Sequence, residues 1–327
     1  MQSCYSLIGY ATLCTALLVP SAAVAPAAAA EYPSQPLRFL VPNPPGGATD
    51  ALARILGQKL GEALRQQVVI DNRAGGGGII ATETASLASP DGYTLLLGFI
   101  GPMVVSPALV RTRYDPVRDF APVTLAAAAQ YLMVVNPAVP ATLKEFVAHT
   151  KSRPGQINYA SAGNGSPSHL AAELFKSRAG IDLVHVPYKG GAPAATAVLA
   201  GEAQLFFGSI PATLPQVKAG KLAALGVTGA ARSPVAPEYP TVAELGYPGF
   251  EVTSWYGVLV PVRTPVAIVA RLNTELLKIL RAPDVVELMK RQGLDVIGST
   301  PAEFAAHLKT EVAKWAAVVK TAGIKVD

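Results

Sequence analysis

The sequence predicts an α/β fold, with mainly parallel sheets shared between two lobes. Strand-like and helix-like segments alternate from residue 36 onward, the pattern produced when helices cover parallel strands. The chain has 327 residues, 50% of them hydrophobic, which is more than one core requires. Its 29 glycines and 28 prolines set sharp boundaries between elements.

Residues 37–41 (LRFLV) read as the first strand, followed by the loop Pro42-Asn43-Pro44-Pro45-Gly46-Gly47. Thr49 is the expected N-cap of a helix to about Leu64, with Leu52, Ile55, Leu56 and Leu60 on one face. Residues 67–70 and 93–97 read as short strands, the first of them buried. In the middle of the chain, residues 131–135, 158–160, 204–207 and 222–227 read as strands, and His185 to Tyr188 ends another. Thr142-x-x-Glu145 is a capping box, and Ser166-Pro167 and Pro193 open helices with proline in the first turn. The C-terminal part is mostly helical. Thr264-Pro265, Asp284 and Thr300-Pro301-x-Glu303 each start a helix, and the last buries Phe304, Leu308, Val312, Trp315 and Val319.

A net charge of +5 invites a nucleic-acid reading, but lysine and arginine are scattered and no run of five basic residues exists. Residues 1–30 carry no charged side chain, residues 7–19 are apolar, and Ala28-Ala29-Ala30 offers small residues to a signal peptidase. The expected product is an exported, periplasmic protein beginning at Glu31. Both cysteines, Cys4 and Cys14, fall in the segment removed, so the mature chain has no disulfide, thiolate nucleophile or cysteine-bound metal. No two histidines have metal-ligand spacing, and neither a metal nor a cofactor is expected.

Three glycine- or serine-rich turns each feed a helix start: Pro44 to Asp50, Ser161 to Ser168, and Lys189 to Pro193. A helix N-terminus presents unpaired N–H groups and partial positive charge, and glycine lets a ligand approach the backbone. Such turns bind anions without a basic side chain. Asp50 is placed to brace the first turn by accepting N–H groups. Gly76-Gly77-Gly78-Ile79-Ile80-Ala81 fits a dinucleotide fingerprint in spacing only. Residues 71–74 separate it from the strand, and Asp91 comes too soon after it to hold a ribose. Ser161, Ser166, Ser168, His169 and His185 suggest a hydrolase, but no G-x-S-x-G elbow exists, and His169 and His185 read as packed residues. Among the aromatics, Tyr188 precedes the third turn and is the candidate for the pocket.

The segments VPNPPGGATD (41–50), VIDNRAG (69–75), SPDGYTLL (89–96), YASAGNGS (159–166), VPYKGG (186–191) and AGKL (219–222) together resemble the substrate-binding proteins of tripartite tricarboxylate transporters, the Bug family. The likeness runs over essentially the whole mature chain. It implies a two-lobed "Venus flytrap" fold of the periplasmic-binding-protein type, type II-like. Residues 31–132 and 254–327 would form one lobe and residues 133–253 the other. It implies a small organic carboxylate held by the first and second turns, membrane subunits of such a transporter as partners, and no enzymatic activity. The expected ligand contacts are Gly46, Gly47, Ala48 and Asp50 from one lobe, and Ser161, Asn164, Ser166, Ser168, Tyr188 and Ser209 from the other. The chain departs from the family pattern at Asn43, where Phe is common, at Phe99-Ile100, where a small polar stretch is usual, and at Gly208-Ser209, where Asp usually follows Phe207. A lost carboxylate and added apolar groups predict a ligand without an amine, with aromatic or branched acids as candidates. A sensor that presents its closed form to a signalling receptor is the alternative outside transport, and a Ser/His hydrolase the alternative in catalysis. The chain is expected to be a monomer.

Overall fold

A computed structural model describes residues 32–46 and 48–322 of the protein. The expected export segment with its cleavage point, and Gly47 of the first turn, lie outside these residues. Five strands form one half of the sheet: β1 (Leu37–Val41), β2 (Val68–Asn72), β3 (Thr94–Phe99), β9 (Thr253–Pro261) and the first part of β4 (Phe120–Val135). The second half joins the last residues of β4 to β7 (Leu205–Ser209), β5 (Asn158–Ser161), β6 (Val184–Pro187) and β8 (Ala223–Val227). The order is β2-β1-β3-β9-β4-β7-β5-β6, with β8 and the short β10 (Asp295–Val296) also on β4.

Among the described residues, β1 pairs in parallel with β2 and β3, and β5 with β6 and β7. Every antiparallel pairing involves β4 or β9. The sheet is therefore mixed, parallel on its flanks and antiparallel at its centre. The reason is connectivity: β4 carries the chain from one half to the other and β9 brings it back. At about 3.3 Å per residue, β4 is long enough, about 50 Å, to belong to both halves.

Alternation along the strands sorts the core. One set of side chains, including Leu40, Leu96, Met133, Val135, Tyr159, Leu205, Phe207, Trp255 and Leu259, forms a continuous cluster under both halves. Helices α4 (Leu143–Lys151), α5 (Pro167–Ala179) and α10 (Pro301–Ala322) supply Phe146, Phe175, Phe304 and Trp315 to it. The intervening residues form two separate cores. Phe39, Leu95 and Val258 pack with α1 (Ala48–Leu64), α8 (Val266–Leu280) and α9 (Pro283–Arg291). Leu132, Val134 and Phe206 pack with α6 (Gly191–Ala200) and α7 (Ile210–Lys218).

Local signals hold where their chemistry is local. Thr142 accepts the Glu145 N–H, and Thr300 and Glu303 exchange bonds at 2.8 and 3.2 Å as a capping box. Ser166 caps α5 with Pro167 at its first position. Differences have physical causes. α1 begins at Ala48, so Thr49 lies in its first turn and is not its cap. β2 is an edge strand and only partly buried. β4 starts eleven residues before the expected Tyr131, because the Pro122 and four-alanine stretch of residues 120–130 shows little apolar contrast. α6 begins at Gly191, ahead of Pro193. Gly76–Gly78 forms a short helical turn leading into α2 (Ile79–Ser86), not a strand-borne phosphate loop.

The return strand is pinned to α10 by one carboxylate. Glu311 is buried and accepts the indole N–H groups of Trp255 (3.2 Å) and Trp315 (2.9 Å) and the ammonium of Lys314 (2.7 Å). Glu311→Ala strands two buried donors. We expect a loss of about 2–5 kcal/mol, from roughly 1–3 kcal/mol per unpaired group, read as a lower Tm in thermal unfolding. Glu311→Gln keeps one acceptor and should lose less.

Candidate functional site

The first turn joins β1 to α1. Asp50, in the first turn of α1, is 4% exposed and gathers the loop around its carboxylate. Gly46 N–H donates to Oδ2 at 2.9 Å, Arg54 Nε to the same oxygen at 3.0 Å, and Asn72 Nδ2 to Oδ1 at 3.0 Å. Burial works against ionising this group, but the bonds from Arg54, Gly46 and Asn72 outweigh it and hold the carboxyl below the usual carboxylate range. Asn72 also donates to the Asn43 carbonyl, and Asn43 Nδ2 donates to Thr49 Oγ1 at 2.9 Å. Asn43 is thus a brace within the loop. The Gly46 N–H is committed to Asp50, so the donors left for an anion are those of the opening turn of α1, from Ala48 onward, which lack intrahelical acceptors.

A chain of hydroxyls leads from this turn onto the crossing strands. The Tyr256 hydroxyl meets Thr49 and Ser254, and Ser254 Oγ lies 2.6 Å from the Tyr131 hydroxyl. Burial raises the pKa of both tyrosines, so both stay neutral donors and acceptors. Tyr131 is paired in register with Ser209, and its N–H donates to Thr228. Ser254 did not stand out in the sequence. Its only signal is a hydroxyl residue at the start of an otherwise apolar strand.

The second turn joins β5 to α5. Ser161 and Ser168 are buried, at 0% and 3% exposed, while Ser166 is half-buried and Asn164 exposed. Ser161 Oγ accepts the Gly163 N–H at 3.1 Å and lies 2.6 Å from His185 Nε2. Ser168 Oγ accepts the Ala162 N–H at 2.9 Å and lies 3.0 Å from Ser166 Oγ. Gly165 N–H donates to His169 Nδ1 at 3.0 Å. The turn is held by side chains of its own flanks, and Ser166 and Asn164 are its accessible polar groups. A Cβ added at Gly165 would lie 3.5 Å from both Val105 and Leu109, so this turn rests against the helical segment that follows β3.

The remaining expected residues are dispersed. Tyr188 N–H donates to the Ser161 carbonyl, which ties it to the second turn, but its hydroxyl donates to Glu202 at 3.3 Å. Ser209 is exposed at the start of α7. The third turn is capped by Gly190 with a positive φ of 112°. Ile100 is 1% exposed and packs in the core, whereas Phe99 is half-buried with its ring 6.4 Å from that of Tyr256. At Gly208, an added Cβ would stand 2.3 Å from the Thr213 methyl and 2.7 Å from the Phe206 ring. Those two side chains would have to shift to admit a Cβ there.

Comparison with known proteins agrees with this architecture. The family described as "Tripartite tricarboxylate transporter family receptor" matches residues 52–324. Protein BugT of Bordetella pertussis is 37% identical over 305 residues, covering 92% of this chain and 94% of BugT. The solved structure of Rpa4515 from R. palustris with adipate superposes with a TM-score of 0.75 at 36% identity, over 90% of this chain and 99% of that one. MatC from Rhodopseudomonas palustris with bound malate gives a TM-score of 0.71 at 32% identity, over 88% of this chain and 100% of its own. The two half-sheets on a shared crossing strand, β4, are the two-lobed fold of periplasmic binding proteins, and the chain belongs to the tripartite tricarboxylate transporter receptor family, the family of the Bug proteins.

Proposed function

We propose that this protein is a periplasmic receptor that captures a small carboxylate between two lobes and hands it to the membrane subunits of a tripartite transporter. The observation that carries the reading is the pair of braced turns at the starts of α1 and α5. Each is fixed by its own buried side chains, and each directs a helix N-terminus at whatever anion it receives. The lobes would be residues 31–132 with 254–327, and residues 133–253. Ligand contacts would come from Gly47, Ala48 and the Asp50-braced loop on one side, and from Asn164 and Ser166 on the other. Ser161 and Ser168 would act by shaping the turn. Export with cleavage after Ala30 supplies the compartment, and the receptor works as a monomer.

The ligand is a carboxylate without an ammonium group. Position 208 holds no acid, and a side chain there would have to displace Thr213 and Phe206; the structural relatives cited above were solved with adipate and with malate, neither of which carries an amine. Phe99 leaves one apolar surface for the ligand's carbon skeleton. Closure follows from differential affinity, because an anion bridging both turns stabilises only the closed state.

The Ser161–His185 contact has the length of a nucleophile–base pair, but acyl transfer is not the favoured reading. Ser161 is fully buried and already accepts the Gly163 N–H. Among the described residues, no carboxylate orients the other nitrogen of His185.

Thermal unfolding against a panel of acids tests the ligand class. A ligand at about 100 times its Kd adds about 2.7 kcal/mol, a rise of roughly 5 °C or more at this size. Adipate, malate or aromatic acids should raise the Tm, and aspartate and glutamate should not; a shift with the amino acids alone would discard the reading of position 208. Ser166→Ala should weaken binding of the best acid by roughly 1–2 kcal/mol in calorimetry. Its loss as helix cap should lower stability by about 1 kcal/mol as well. An unchanged Kd would remove Ser166 from the site. Asp50→Ala should abolish measurable binding, since it frees the Gly46 loop, while the protein still unfolds cooperatively.

A further inference from the structure

Two histidines outside the ligand contacts hold the second turn in shape. The imidazoles of His169 and His185 stack with centroids 4.0 Å apart and planes 8° from parallel, and Tyr159 extends the stack at 4.8 Å from His185. Each ring touches a different part of the turn. His169 Nδ1 faces the Gly165 N–H at 3.0 Å, and His185 Nε2 faces Ser161 Oγ at 2.6 Å.

The first contact fixes a protonation state. A backbone N–H only donates, so Nδ1 of His169 must carry a lone pair, and the ring is neutral with its proton on Nε2. Protonation at Nδ1 would place two N–H groups head to head. Stacking adds a second constraint, since two imidazolium rings at 4.0 Å repel each other.

We propose that His169 is a positioning residue for the β5–α5 turn, a neutral acceptor whose protonation releases Gly165 and loosens the turn, with His185 as its stacked partner and the support of Ser161. As a control on carboxylate capture, this rests on the reading of the turn as a ligand contact.

The surroundings favour the neutral form. His169 is 6% exposed. The groups facing the stack are Tyr159 from β5, His185 from β6, and Glu173 and Lys176 from α5; Glu173 is itself engaged by Tyr159 at 2.5 Å and Lys176 at 2.9 Å. From the other half of the molecule, the turn meets apolar Val105 and Leu109. Burial first, and His185 next, push His169 from 6.5 down to about 4, and burial also lowers His185. Between those two values the unfolded chain binds more protons than the folded one. Stability from His169 is therefore intact above about pH 6.5, falls as pH drops, and is lost below about pH 4.

The test is NMR of the unliganded mature protein from pH 7 to 3.5, with the wild type, His169→Asn and His169→Ala. Asparagine places an oxygen close to where Nδ1 stood and does not titrate in this range. At pH 7 His169 should show an unprotonated Nδ1 and a protonated Nε2. The Gly165 amide should shift with the same midpoint as His169, well below 6. In the asparagine variant that amide should stay in place across the range, and in the alanine variant it should sit at its acid-state position already at pH 7. A protonated Nδ1 at pH 7, or a Gly165 amide that ignores the His169 titration, overturns the proposal. Adipate added at pH 7 tests the reading beneath it separately. If adipate raises the Tm yet leaves the Gly165 and Ser166 amides unmoved, the turn is not a ligand contact, and the role of His169 in shaping it is judged on the titration alone.

Discussion

One strand, β4, has to satisfy two half-sheets at once, and the rest of the molecule is arranged around that demand. β4 gives its first part to β9 and β10 and its last residues to β7 and β8, so its backbone groups are paired across the junction. The cost is irregularity. The register shifts between Pro122 and Thr124, between Leu125 and Ala127 and between Met133 and Val134. Such irregularities bend a strand and raise its local twist, which suits one that leaves one set of neighbours for another. They also place Tyr131, Ser254 and Tyr256 where hydroxyls, not apolar groups, occupy the crossing.

The turns proposed as the anion site carry few charges of their own. A carboxylate ligand brings its own charge, and a helix start answers it with N–H groups. What the side chains must do is keep the loop from collapsing onto those donors. In the first turn an anionic side chain does this, because Asp50 consumes the outer N–H of Gly46 and leaves the helix start open. In the second turn neutral hydroxyls and imidazoles do it, and no competing charge is introduced. The charged brace is the one held by an arginine, which limits its repulsion of the guest.

Much of this was legible in the sequence, for reasons that differ residue by residue. Caps such as Ser166 and Thr300 act within three residues, so their spacing alone announces them. The alternation of elements revealed the fold class, and the motif order revealed the family. Asp50 could be read as a brace, but not its partner Asn72, which arrives from a neighbouring strand 22 residues on. The length of β4 was hidden by alanines. The histidine stack was hidden by topology: only the adjacency of β6 to β5 brings His185 over the first turn of α5. Ser161 and Ser168 read as ligand donors by type; their burial and their bonds to the Gly163 and Ala162 N–H groups are not legible from type.

The asymmetry between the two faces of the sheet bears on how such receptors diversify. A substitution in the cluster that contains Trp255, Phe207 and Phe304 is felt by both halves, because that cluster is continuous. The cores that pack α1 and α6 are separate, so drift in one is not transmitted through shared packing to the other. Substitutions under α1 or α6 can therefore accumulate on one side at a time, while those in the common cluster have to suit both halves at once. A change such as glycine at 208, filled by the neighbouring Phe206 and Thr213, is the kind of local edit this layout tolerates. Partitioned cores over a shared one let each flank of the sheet be repacked without disturbing the packing of the other.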